Sequence, residues 1–161
     1  MTSIRILITI AIGAVVGACA LTASPPAPDY SDLVITLERT PCFGACPIYK
    51  LAIYGDGRVV YAGQQFVAVT GQQTTTLSAE QVQELVSEIE KADYFSLKDE
   101  YTAPATDMPS AIISVSLNRQ TKTINHYGYC GAEFDEAPKE LCDLEQKVDE
   151  ITNSAQWVGR P

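Results

Sequence analysis

The sequence predicts an α+β fold, an antiparallel sheet of about five strands with two helices packed on one face. Three observations lead there. Short runs of branched and aromatic residues alternate in polarity. Brief turns join them, which favours hairpins over crossovers. Two longer segments instead place apolar residues at helical spacing. The expected order is β-β-β(-β)-α-β-β-α.

Leu33–Glu38 alternates well enough for a first strand, and Ile48–Tyr54 is a second. Gly55-Asp56-Gly57 then interrupts before Arg58–Ala62 resumes. Two such runs around glycines read as a hairpin, because glycine adopts the positive φ of tight turns. Phe66–Val69 is a candidate fourth strand, broken at Gly71. Ser78 with Gln81 makes a capping box, and Leu77 with Val82 fits a hydrophobic staple. Val82, Leu85, Val86, Ile89 and Ala92 form the apolar stripe of the first helix. Asp99–Pro109, with two prolines, predicts an irregular loop. Ala111–Leu117 alternates as a half-buried strand, Asn118–Gln120 turns the chain, and Thr121–Tyr127 returns. A last helix is expected from Pro138, which suits a first helical position. Leu141, Leu144, Val148 and Ile151 would be buried, Asn153 or Ser154 would end it, and Trp157 would fold back onto the core.

At 161 residues the chain suits one domain. Its formal net charge is -9. Such a surface repels phosphate backbones and so argues against nucleic acid. It also resists anionic lipid, so membrane attachment would have to be hydrophobic or covalent.

A hydrophobic or covalent attachment is what the N-terminus suggests. Arg5 precedes an apolar run, residues 6–18, too short for an ordinary membrane span. Val16-Gly17-Ala18-Cys19 resembles the lipobox of bacterial lipoprotein precursors, with small residues ahead of a thiol that can take a diacylglyceryl group and then palmitate. The expectation is a signal peptide over 1–18, a lipidated Cys19 and Pro-rich tether over 19–31, and a single globular domain over 32–161. Ala20 points to the periplasmic face of the outer membrane. An uncleaved anchor over residues 6–23 and cleavage without lipid are the competing readings.

Of five cysteines, lipidation would leave Cys42, Cys46, Cys130 and Cys142. An even number in an exported domain reads as two disulfides, with three pairings open. Cys42–Cys46 with Cys130–Cys142 is favoured, since two short closures require no particular tertiary approach. Cys-x-x-x-Cys is not the redox Cys-x-x-Cys. Zinc is weighed against the spacing between Cys130 and Cys142, which fits poorly with a second close cysteine pair. Neither a metal nor another cofactor is expected.

Catalytic signals are weak. His126 could pair with Cys130 as a nucleophile couple only if that thiol were free; the plainer expectation is a ring on the sheet surface. Asp93, Asp99, Glu100, Asp107, Glu133, Asp135 and Glu136 offer carboxylates but no fixed separation. Asp107, in a Pro-containing loop, is the one candidate among them for a functional loop, against a simple turn cap. Tyr94, Phe95, Tyr101, Tyr127 and Tyr129 could form a binding patch or pack at the core edge. Phosphate-loop, zincin and nucleophile-elbow motifs are absent.

Glu38-Arg39-Thr40-Pro41-Cys42-Phe43-Gly44-Ala45-Cys46-Pro47-Ile48-Tyr49, followed by Ile53-Tyr54-Gly55-Asp56-Gly57, is distinctive. It resembles an uncharacterised family of bacterial exported and lipoprotein domains, domain of unknown function 6438, with a Cys-Phe-Gly-x-Cys-Pro-x-Tyr segment and a Gly-Asp-Gly hairpin. Ala92-Asp93-Tyr94-Phe95, Thr106-Asp107-Met108-Pro109 and Trp157 agree with it. The resemblance implies an exported α+β domain and supplies no activity, substrate or catalytic residue; Cys130 and Cys142 are not in its signature. The resulting expectation is a membrane-anchored, non-catalytic binding or accessory domain of the cell envelope that takes an envelope protein partner or a small envelope ligand. An envelope redox or hydrolytic enzyme and a structural or assembly protein are the alternatives.

Overall fold

A computed structural model describes residues 28–159. The expected signal segment, Cys19 and the tether through residue 27 lie outside the described residues. The fold is α+β, as expected, but the sheet is larger. It contains β1 (Val34–Arg39), β2 (Ile48–Tyr54), β3 (Arg58–Gln65), β4 (Gly71–Thr76), β5 (Glu100–Tyr101), β6 (Ser110–Leu117) and β7 (Gln120–Tyr127). Their order is β4-β3-β2-β1-β6-β7-β5, so the sheet has seven strands rather than about five. All pairings are antiparallel except β5 with β7. Helices α1 (Ala79–Lys91) and α2 (Lys139–Thr152), with the short α3 (Ala155–Val158), share one core with the sheet.

The two extra strands have different causes. β4 is Gln- and Thr-rich and largely exposed, so no period-2 apolar signal marks it. The apolar run Phe66–Val69 is the turn before it: Phe66 takes a positive φ, and the Ala68 and Val69 N–H groups donate to the carbonyls of Val158 and Trp157. Within the loop expected over Asp99–Pro109, β5 is only two residues long, below any pattern.

Local chemistry accounts for the rest. Ser78 Oγ accepts from the Gln81 N–H, and the Gln81 side chain accepts from the Ser78 N–H, completing the capping box of α1. Val82, Leu85, Val86 and Ile89 are buried. α2 begins at Lys139, with Pro138 as its cap, and Asn153 ends it in the left-handed region. Its buried residues include Glu145 and Thr152, whereas Ile151 is only half buried. Trp157 stacks on Tyr61 with ring centroids 5.0 Å apart. In the β2–β3 turn only Gly57 uses a positive φ. Gly55 is required for contact instead, since a Cβ there would lie 1.7 Å from the Tyr30 carbonyl oxygen.

The β6–β7 turn holds Asn118 and Arg119, both at positive φ, between paired Leu117 and Gln120. That is type I′ geometry, which favours Asn-Gly. Arg119→Gly should therefore raise stability by about 0.5–1 kcal/mol, after the entropy of glycine offsets part of the strain relief. Urea denaturation checks this. An unchanged or lowered midpoint would mean that Arg119 has a compensating role.

Residues 30–33 pack at the end of the sheet where β1 begins. Leu33 N–H donates to the Tyr30 carbonyl, Gly55 N–H to the Leu33 carbonyl, and Arg119 N–H to Asp32.

Candidate functional site

At the other end of the sheet, cross-strand register aligns Gly63, Tyr49, Arg39, Ala111, His126 and Tyr101 in one row. Arg39 is placed there by continuing the inward alternation of Leu33, Ile35 and Leu37. His126 likewise follows Ile124 onto the core face, and is 1% exposed. The expectation of a ring on the sheet surface is therefore corrected: strand parity, not proximity to the strand end, sets the direction of the side chain.

α2 meets this row with Glu145 and Asp149, four residues apart on one helical face. Arg39 Nη1 lies 3.1 Å from Glu145 Oε2, and Nη2 lies 3.0 Å from Asp149 Oδ2. Tyr49 Oη and Ser154 Oγ each donate to Asp149 Oδ1 at 2.7 Å. His126 Nδ1 is 2.9 Å from Glu145 Oε1, and Nε2 is 3.1 Å from Asp135 Oδ1. Asp135 also accepts from the Ala137 and Gly131 N–H groups. Arg39, Tyr49, His126 and three carboxylates form one continuous network (Glu145 itself is 1% exposed).

The network shifts its own titrations. The Glu145 hydrogen bond raises the His126 pKa above 6.5; burial opposes this, and Asp135 adds to the rise. Burial disfavours the Arg39 charge, but Asp149 and Glu145 outweigh it and hold the guanidinium more firmly protonated. Burial, then Asp149, pushes Tyr49 up, so it remains a hydrogen-bond donor.

Over the network opens a cavity of about 610 Å³. Arg39, Tyr49 and Glu145 contribute to its lining, as do Cys46, Cys130 and Cys142. Both disulfides therefore border it: Cys42–Cys46 and Cys130–Cys142 are paired, with Cα separations of 5.8 and 5.6 Å. Tyr129 Oη donates to Cys46 Sγ at 3.3 Å, linking the two disulfide loops.

Asp107 takes no part in lining the cavity. It is exposed at positive φ, and its carbonyl accepts from the Phe43 N–H, bracing the Cys42–Cys46 loop. Tyr94 and Tyr101 are buried in the core and Phe95 packs against it, whereas Tyr127 is half buried and its hydroxyl accepts from the Met108 N–H. Among the described residues the large exposed apolar side chains are Phe43, Phe66, Tyr129 and Phe134. Phe43 follows β1, Phe66 follows β3, and Tyr129 and Phe134 follow β7. All four thus project from loops at the cavity end.

Sequence reasoning passed over Arg39, Glu145 and Asp149. Their signal was present: each is a charge set at a position where the periodic pattern calls for an apolar residue.

A family model described as Domain of unknown function (DUF6438) matches residues 33–152. No curated protein matches the chain. The chain belongs to that family, and Trp157 lies beyond the matched segment.

Proposed function

We propose that this member of the family is a non-catalytic binding module of the cell envelope, held through a lipidated Cys19 on the periplasmic face of the outer membrane. Its cavity end would receive an apolar, basic segment of an envelope protein. The observation that carries this reading is the placement of the four exposed aromatics. They gather at the end of the sheet opposite residues 30–33, so a domain tethered from its N-terminus would present them away from the bilayer. Exposed aromatics around a partly apolar concavity suit partner anchoring. Charge selects the partner. Glu133 and Glu136 are exposed beside Phe134, and the chain carries a net charge of -9, so a basic segment is favoured. The ionised groups beneath the cavity already satisfy one another, which supports binding over bond-breaking.

Two measurements test this. Fluorescently labelled peptides alternating leucine or phenylalanine with lysine should bind the chain, more weakly as salt rises. Phe43→Ser and Phe134→Ser with Tyr129→Ser should together weaken binding by about tenfold or more while the chain remains folded. Equal binding of lysine and glutamate peptides, or no response to the triple change, would overturn the partner chemistry. Separately, Cys19→Ser should abolish fatty-acid labelling and release the chain from membranes. Continued labelling would overturn the anchor.

A further inference from the structure

We infer that Cys130 and Cys142, once reduced, complete a zinc site with His126 and Asp135. This inference is independent of the binding reading. Among the described residues, one donor atom from each of these four lies within 4.8 Å of every other. A tetrahedral zinc ion with bonds of about 2.0–2.3 Å needs donors roughly 3.3–3.8 Å apart. Cys142 Sγ is 3.7 Å from Asp135 Oδ2, and His126 Nε2 is 3.1 Å from Asp135 Oδ1; Cys130 Sγ lies 3.9 Å from the same imidazole at Nδ1. The two sulfurs, bonded in the oxidised form, must separate, and the other donors must shift modestly to surround the ion.

The surroundings suit a metal beyond the ligand count. With Nε2 facing Asp135, Nδ1–H donates to Glu145, which Arg39 anchors in turn. A buried carboxylate that fixes the ring of a ligating histidine is the usual outer support of a zinc site. Cys142 lies in the first turns of α2, where the helix dipole favours thiolate. Two thiolates and an imidazole select zinc over magnesium or calcium. The spacing His126-x3-Cys130-x4-Asp135-x6-Cys142 hides the site from any search for two close cysteine pairs.

The chemistry balances as thiol–disulfide exchange. A small dithiol gives two electrons and two protons to Cys130–Cys142, becomes a cyclic disulfide, and leaves two thiols. Zinc then displaces both thiol protons and takes the thiolates. Disulfide and zinc are mutually exclusive closures of the same 130–142 loop.

The test uses the full-length chain, reduced by a phosphine under nitrogen and titrated with Co²⁺, then Zn²⁺. One equivalent of cobalt should give thiolate charge-transfer and tetrahedral ligand-field bands, and zinc should bleach them. The oxidised chain should give none. Cys142→Ser should abolish the signal, whereas Cys42→Ala with Cys46→Ala should keep it. Glu145→Gln should leave one equivalent bound about 10–100-fold more weakly. That variant retains all four ligands, so the inference remains open to refutation even if Cys142→Ser fails to fold. A reduced chain with free thiols at 130 and 142 that takes up no cobalt would overturn the site. So would cobalt uptake unchanged by both Cys142→Ser and Glu145→Gln.

Discussion

Arg39→Ala should destabilise the oxidised protein by about 3–5 kcal/mol, because removing the guanidinium strands the Glu145 carboxylate where water cannot reach it. Among the described residues the arginine is the only cation bonded to both Glu145 and Asp149, and Glu145 is almost wholly inaccessible. Arg39→Lys should recover only part of the loss, since one ammonium cannot match a fork that reaches two carboxylates. Arg39→Met combined with Glu145→Leu should be milder than Arg39→Ala, because the stranded charge goes with its partner. Urea denaturation with the disulfides intact measures each. A loss of about 1 kcal/mol or less for Arg39→Ala would put the pair in the class of surface ion pairs.

His126 should make stability fall as pH rises. Its folded pKa is raised above the ordinary 6.5, chiefly by Glu145, so the folded state holds the proton more tightly than the unfolded chain. The contribution is fully present below the unfolded value and is lost as pH climbs through the folded one. Unfolding free energy should therefore decline on the alkaline side of pH 6.5. His126→Gln should flatten that decline. His126→Ala should cost about 3 kcal/mol at pH 6, the low end for a broken buried pair, because Glu145 keeps Arg39 and Asp135 keeps two backbone donors. A wild-type profile that rises through this range, or one that His126→Gln leaves unchanged, would refute a protonated His126 as the link between β7 and α2.

Much of the fold was legible because its signals are local. Ser78 and Gln81 cap α1 through groups three residues apart, and the inward alternation of β6 is written in Ala111, Ile113, Val115 and Leu117. β4 was not legible, because an edge strand with little burial has no reason to alternate, and β5 was not because two residues make no pattern. The candidate site lay between these cases. Its cysteines could be counted and paired by short closure, and that pairing is the one observed. Arg39 and His126 meet Glu145 only because β1, β6 and β7 are neighbours in a register that no single segment encodes. A charge on an apolar stripe is a visible anomaly; its partner becomes visible only in three dimensions.

β1 lies at the centre of the sheet, with residues 30–33 at one end and Arg39 at the other. A pull between the N-terminal lead and anything gripping the loops at the far end would therefore run along the strand axis. Both flanking ladders would carry that load together in shear, all their rungs strained at once. An edge strand such as β4, tugged outward, would instead peel one rung at a time. The chain thus leads its mechanical axis through the strand best able to resist extension.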